Sequence, residues 1–313
     1  MRGRVLDGRY KIGRRIGLGG TGVVFEATTR DGGTVAVKTL RPCFVEHPDL
    51  GRRLRREGEV AQRVHHPGII QVFDSGTLHD GSPYIVMPLM MGESLNRLLL
   101  RSTELPMEMV AALASRVAAI LHAAHCAGYV HRDVKPEHVL LDKSPTGDLV
   151  VHLLDFGVCS SANAPPAERN REKGKVFGTP SYVSPEQAAG ENDIDGRADL
   201  FSLGVLMFEA LSGRLPFSGS TVSKLLVRII REDAPRVSEL LPHVNPVADD
   251  VVARLLARDP EDRFPSARAL ARALAPHVGD RKLVERRIAA MLNVSSRAAD
   301  TAPTVRRPAA AVA

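Results

Sequence analysis

The stretch "HRDVKPEH", residues 131–138, places Asp133 two positions before Lys135. A carboxylate so placed can orient an acceptor hydroxyl and take its proton, while the neighbouring ammonium neutralises a phosphoryl group in transit. Pro136 fixes the turn that carries them. Further along, "LLDFGV" sets Asp155 at the end of an apolar run. A carboxylate is expensive to bury there and is readily explained as a magnesium ligand bridging phosphates. Earlier, "VAVK" ends an apolar strand in Lys38, a cation that is costly unless paired. Glu57, in "RREGEV", is either its partner or one more surface carboxylate among arginines. The fourth feature is "GLGGTGVV", Gly17 to Val24. Alone, GxGxxG is unspecific. It stands between two strand-like runs, whereas a dinucleotide fold needs a helix N-terminus on the pyrophosphate. A glycine hairpin, lacking Cβ atoms, lets backbone amides approach phosphates closely. Chance would explain any one of these features, but not four in this order.

The elements that must position these groups follow from the pattern. Residues 10–40 alternate short strand-like runs with turn residues, and Asp31-Gly32 between apolar alternations marks a hairpin. Residues 49–64 form a helix with one apolar stripe, ended by Pro67. "GIIQVFDSGTL" and "SPYIVMPLM" supply two more strands, giving a five-stranded sheet with one helix. From Gly92 the chain turns helical: "ESLNRLLL", the Ala-rich stretch 107–127, and the all-round apolar "ADLFSLGVLMFEALSG", a central helix capped by Gly213. A strand-rich interruption spans 130–158 and a loop 159–175. Further helices fall near 220–232, 246–258 and 266–275. "RKLVERRIAAMLNV" reads as about a turn and a half of amphipathic helix, and the Ala/Pro/Arg-rich end as disordered.

Composition bounds the class. A chain of 313 residues, 44% hydrophobic and 25% charged, can bury a substantial core in two lobes or two small domains. The net charge of +6 is dispersed, without the basic stripe and interleaved aromatics of a nucleic-acid protein. Cys43, Cys126 and Cys159 are odd in number with no CxxC spacing, which argues against a disulfide framework and a zinc site. The N-terminus lacks an apolar signal core. The stretch Met109 to Val130 is broken by Arg116, His122 and His125, and reads as a buried helix, not a membrane span. A reducing cytoplasm is expected.

Together with "GTPSYVSPE" (178–186), "DLFSLG" (199–204) and Arg263 in "DPEDRF", these motifs make the chain resemble the eukaryotic-like, bacterial-type Ser/Thr protein kinases over roughly residues 10–275. The resemblance implies an α+β, bilobal protein kinase fold with an antiparallel-sheet N-lobe and a mainly helical C-lobe. Its parts would be an N-terminal extension (1–9), a kinase domain (N-lobe 10–88, hinge 88–92, C-lobe 93–275) and a basic tail (276–313). It implies Asp133 as the base with Lys135 beside the phosphate, Lys38 and Glu57 as the ion pair, and Asp155 as a metal ligand. ATP would lie against Ile16, Gly17, Gly19 and Gly22. Val24, Ala36 and Leu140 would sandwich the purine, with Met87 at its back and the backbone of Pro88 and Met90 hydrogen-bonding adenine. Arg132 would meet an activation-loop phosphate, Thr179 would mark Ser/Thr specificity, and Asp199 falls in the "DLFSLG" motif. Arg263 would pair with Glu186. The implied partners are protein substrates, with self-phosphorylation or an N-lobe homodimer as options and neither nucleic acid nor membrane. A bacterial source is expected.

The chain departs from the pattern at two places. His138 stands where the family has an asparagine that coordinates Mg²⁺. Mg²⁺ prefers oxygen, whereas imidazole nitrogen suits Mn²⁺ or later metals. Three readings stay open: a nitrogen ligand favouring Mn²⁺, a ring that only braces the loop, or a pseudokinase whose pocket binds nucleotide without transfer. The activation loop has no Thr between Gly157 and Gly178, only Ser160 and Ser161 early in it, with Glu168 or Glu172 as fixed charges that could face Arg132. Cys159 is expected to be a small semi-buried filler.

Overall fold

The structure is a computed structural model that describes residues 1–161 and 178–292. The expected positions Glu168 and Glu172 lie outside them. The described residues divide into two compact units, one holding residues 1–91 with 155–157, the other 92–154, 158–161 and 178–292.

The first unit is an antiparallel sheet in the order β1-β2-β3-β4-β6-β5. Its strands are β1 (Val5–Leu6), β2 (Tyr10–Leu18), β3 (Gly22–Thr29), β4 (Thr34–Leu40), β5 (Asp74–Thr77) and β6 (Pro83–Pro88), with helix α1 (Pro48–Arg63) on one face. The expectation of five strands is thus corrected to six. Asp7 and Gly8 both take positive φ, 45° and 63°, and Arg9 N donates to Leu6 O, a tight turn of the hairpin-favouring kind. That turn folds residues 1–9 back onto the sheet. The face opposite α1 carries Ile12, Val35, Val37, Tyr84 and Val86, which Leu6 and Met1 cover. The strand expected over 68–78 begins only at Asp74; a Pro67-containing turn, with Ile69 N bonded to His66 O, occupies its first two residues.

On the other face Leu40, Leu54 and Ile85 form a small core with Leu50, Val72 and Met87. The helix comes close to the sheet because Gly58 faces Ile85, where a Cβ would stand 3.3 Å from the side chain. Glu57 lies on the stripe of Leu54, Gly58 and Ala61, so burying that stripe carries its carboxylate inward.

The second unit is helical around α2 (Leu95–Arg101), α3 (Met107–Cys126), α4 (Pro185–Ala188), α5 (Arg197–Ser212), α6 (Val222–Arg231), α7 (Val237–Leu240), α8 (Pro246–Leu255), α9 (Ala267–Leu274) and α10 (Arg281–Met291). Short strands β7 (Glu93–Ser94), β9 (Val139–Lys143) and β10 (Leu149–Leu153) form one sheet, and β8 (Tyr129–Val130) pairs with β11 (Ser160–Ser161). Helix α5 is buried from Ala198 to Ser212 and ends at Gly213 with φ 67°. Helix α3 is long and apolar enough to cross a membrane by length and composition, but 67% of that window is buried within the protein. The turn and a half expected near the end is a full helix, α10. Its Val284, Ile288 and Ala289 are buried, and Glu285 pairs with both Nε and Nη2 of Arg116 on α3 at 2.9 Å. Three arginines in the α10 sequence masked its period, since their long stems still cover apolar surface.

Candidate active site

In the first unit, β4 sets Lys38 opposite Val24 on β3 and Ile85 on β6. Lys38 Nζ reaches Glu57 at 2.8 and 2.6 Å, donating to both oxygens, and lies 3.7 Å from Asp155 Oδ1. Burial by itself would push the Lys38 amine down, yet Asp155 and Glu57 together hold it well above its ordinary range. Burial pushes the Glu57 carboxyl up and Lys38 pulls it back, while Asp155 competes for the same cation. One ammonium between two carboxylates is therefore firmly charged, and the carboxylates share it.

Asp155 has φ 64°, the left-handed region that a non-glycine residue adopts only when its surroundings impose it. Its side chain is 43% exposed. Gly157 packs on the backbone of Arg53 in α1, where a Cβ would come within 3.4 Å of the Arg53 carbonyl and 3.1 Å of Asp155 Oδ1. A glycine here lets the Asp155–Gly157 segment lie against the helix that carries Glu57.

The glycine turn joins β2 to β3. Gly17 pairs with Val24, and Gly19 N donates to Gly22 O at 2.9 Å. Of these glycines Gly22 is the most confined: a Cβ would meet Thr39 O at 3.3 Å and Lys38 Cε at 3.5 Å. Ile16 and Val24 are half-buried, Ala36 is buried and pairs with Met87, and Pro88 pairs with Val35 to close β6. Met90, two residues on, is half-buried.

In the second unit, Asp133 is the hub. Its Oδ1 accepts from Thr179 N at 2.8 Å and from the Thr179 hydroxyl at 2.9 Å; its Oδ2 accepts from Lys135 Nζ at 2.9 Å. Lys135 Nζ also donates to Thr179 Oγ1 at 2.5 Å. The peptide of Asp133 is gripped as well. Its N–H donates to His131 Nδ1 at 3.2 Å, and its carbonyl lies 2.8 Å from His138 Nδ1. A carbonyl only accepts, so Nδ1 of His138 carries the proton and a neutral ring keeps its lone pair on Nε2. That hydrogen bond is compatible with the reading of His138 as a brace. Leu140, two residues on in β9, is half-buried.

Arg132 has φ 65° and is held by Asp199, whose carboxylate, in the first turn of α5, accepts from His131 N at 2.9 Å and Arg132 N at 2.8 Å. Asp199 is fully buried, which would raise its carboxyl. His125 Nε2, 2.8 Å away, and the His131 contacts outweigh burial and hold it below the usual carboxylate range. Glu186 and Arg263 form a buried bidentate pair at 2.7 and 2.8 Å, and the guanidinium also donates to the carbonyls of Ala257, Arg197 and Arg258. Cys159, expected half-buried, is fully buried. Residues 160 and 161 enter β11, so that early part of the activation loop is a strand, not an open loop. Sequence reasoning missed Gln187, which is 2% exposed and donates to the Arg132 carbonyl at 3.0 Å.

A family described as protein kinase domain matches residues 10–274. PknA, a serine/threonine-protein kinase of Mycobacterium tuberculosis, is 37% identical over 278 residues, 87% of this chain and 62% of its own length. A probable serine/threonine-protein kinase of Streptomyces coelicolor is 37% identical over 268 residues, 84% of this chain and 39% of its own. This chain therefore spans less than two thirds of either relative. The crystal structure of the Mycobacterium tuberculosis PknI kinase domain superposes with a TM-score of 0.67 at 30% identity, covering 89% of this chain and 99% of that one.

Proposed function

We propose, from the premise that this chain belongs to the protein kinase family in its bacterial Ser/Thr branch, that it transfers the γ-phosphoryl group of ATP to Ser or Thr hydroxyls of proteins, itself included. The observation that carries the reading is the cluster of Asp133, Lys135 and Thr179. Thr179 donates twice to Asp133 Oδ1, while Lys135 donates to Oδ2, which also lies 3.5 Å from His138 Nδ1, so Oδ2 is the less engaged oxygen and the one that would take an acceptor hydroxyl. The acceptor oxygen attacks the γ-phosphorus, the bond to the β-phosphate oxygen breaks, ADP leaves and the acceptor proton passes to Asp133. Lys135 neutralises charge on the phosphoryl group in flight.

The first unit supplies the nucleotide side. Lys38, held by Glu57, would bind the α- and β-phosphates, with the amides of the Gly17–Gly22 turn around them. A divalent cation fits Asp155: among the described residues no three potential ligands cluster, and Mg²⁺ commonly takes one or two carboxylates and completes its shell with phosphates and water. When bound, the cation neutralises phosphate charge. Asp155, half-exposed and strained, would be the oxygen ligand, and His138 would act as a brace, its imidazole nitrogen favouring Mn²⁺ over Mg²⁺ wherever it did contribute. The three free cysteines suit a reducing cytoplasm, where we place the activity.

The test is transfer from γ-labelled ATP to the protein and to a basic protein substrate, in Mg²⁺ and in Mn²⁺, for wild type, Asp133→Asn and His138→Asn. Transfer lost in Asp133→Asn supports the proposal, and a higher Mg²⁺-to-Mn²⁺ rate ratio in His138→Asn supports the role given to the imidazole. No transfer in either metal, with ATP still bound, would establish a pseudokinase instead.

A further inference from the structure

Arg132, next to Asp133, has a left-handed backbone, a conformation that persists only when several neighbours enforce it. Its N–H is fixed by Asp199. Its carbonyl accepts from Gln187 Nε2 at 3.0 Å and closes against Gly178, where φ is 104° and a Cβ would lie 2.6 Å from that oxygen. The amide of Gln187 can face only one way. Its Oε1 accepts from the Ser184 backbone N–H at 3.3 Å and from the Ser184 hydroxyl at 3.1 Å, a capping box at the start of α4. An oxygen that receives an N–H leaves the amide NH₂ for the Arg132 carbonyl. Gln187 is buried, so its donor has no water to turn to.

We infer that Gln187 is a positioning residue for phosphoryl transfer: from α4 it holds the Arg132–Asp133 peptide in the strained form that presents the Asp133 carboxylate. The segment 178–187 then grips this peptide from both sides, Gln187 on the Arg132 carbonyl and Thr179 on the Asp133 carboxylate. The inference rests on the proposed transfer activity for its consequence, but its structural half is measurable without it.

Two volume-conserving variants separate positioning from capping. Gln187→Met loses both amide contacts. Gln187→Glu keeps an acceptor for Ser184 but sets an oxygen against the Arg132 carbonyl. Hydrogen exchange of peptides covering residues 129–139 is measured with kcat, the KM for ATP and the melting temperature, with Ser184→Ala as the capping control. Both Gln187 variants are expected to speed exchange in 129–139 and to lower kcat on the order of 10- to 100-fold with an unchanged KM for ATP, as a misplaced reacting group does. Ser184→Ala is expected to lower the melting temperature and to change kcat far less. Gln187→Glu matching wild type in exchange and kcat would overturn the inference and leave Gln187 a cap. If wild type transfers no phosphate, the kinase reading fails, and exchange in 129–139 still decides the positioning: accelerated in the variants it stands, unchanged it falls.

Discussion

The charge cluster around Lys38 and the one around Asp133 use the same groups, an ammonium among carboxylate oxygens, and differ in what anchors them. Lys38 is held by side chains alone: Glu57 on one turn of α1 and Asp155 on a three-residue segment lying against that helix. Rotating or shifting α1 unmakes the pair without breaking a backbone hydrogen bond of the sheet. Around Asp133 the backbone itself is engaged, through Thr179 N on the carboxylate, His131 and His138 on its peptide, and Asp199 and Gln187 on the peptide before it. The cluster around Lys38 is adjustable and the one around Asp133 is overdetermined. Control of such an enzyme is expected to act on the first.

Mutations can break or sharpen this contrast. Asp133→Asn removes the proton acceptor and sets an amide NH₂ against either Lys135 or Thr179, both of which now donate to the carboxylate, so transfer is expected to fall about 10³-fold while ATP affinity, measured by calorimetry, holds. Lys38→Met leaves Glu57 and Asp155 without their cation; kcat is expected to drop about 10²-fold, and proteolysis around α1 should become faster. If α1 stays as protected as in wild type, the first cluster is not the adjustable one. Thr179→Val deletes the hydroxyl between Lys135 and Asp133 and should lower kcat about tenfold, whereas Thr179→Ser should stay near wild type. The smallest effect is expected from Gly22→Ala, whose methyl presses on Thr39 O and Lys38: the KM for ATP should rise about fivefold with kcat unchanged.

How far the sequence disclosed this arrangement differed by region. Lys38 was legible because a charge on an apolar strand asks for a partner, whereas Glu57 stayed open between that partner and a surface carboxylate among arginines. Glu186 and Arg263 were legible only through the family resemblance; nothing in the spacing of residues 77 apart reports a contact. The first strand was not read, because two residues are too few for an alternating pattern, although Asp7-Gly8 carried the same turn signal that marked Asp31-Gly32. Gln187 left no pattern to read, and the sequence could not choose bracing from the three readings open for His138. Both act on backbone carbonyls, and a carbonyl leaves no mark in a sequence.

Helix α10 lies past residue 274, where the family match ends, yet it is tied to α3 by a bidentate pair and to the Arg101 guanidinium through the Met291 carbonyl. Arg101 in turn grips Glu93, at the head of the second unit, at 2.6 and 2.7 Å. The inheritable module and the foldable object thus have different ends. A chain trimmed to the first would bare the apolar flank of α3 that α10 covers, turning a boundary drawn by ancestry into a sticky surface.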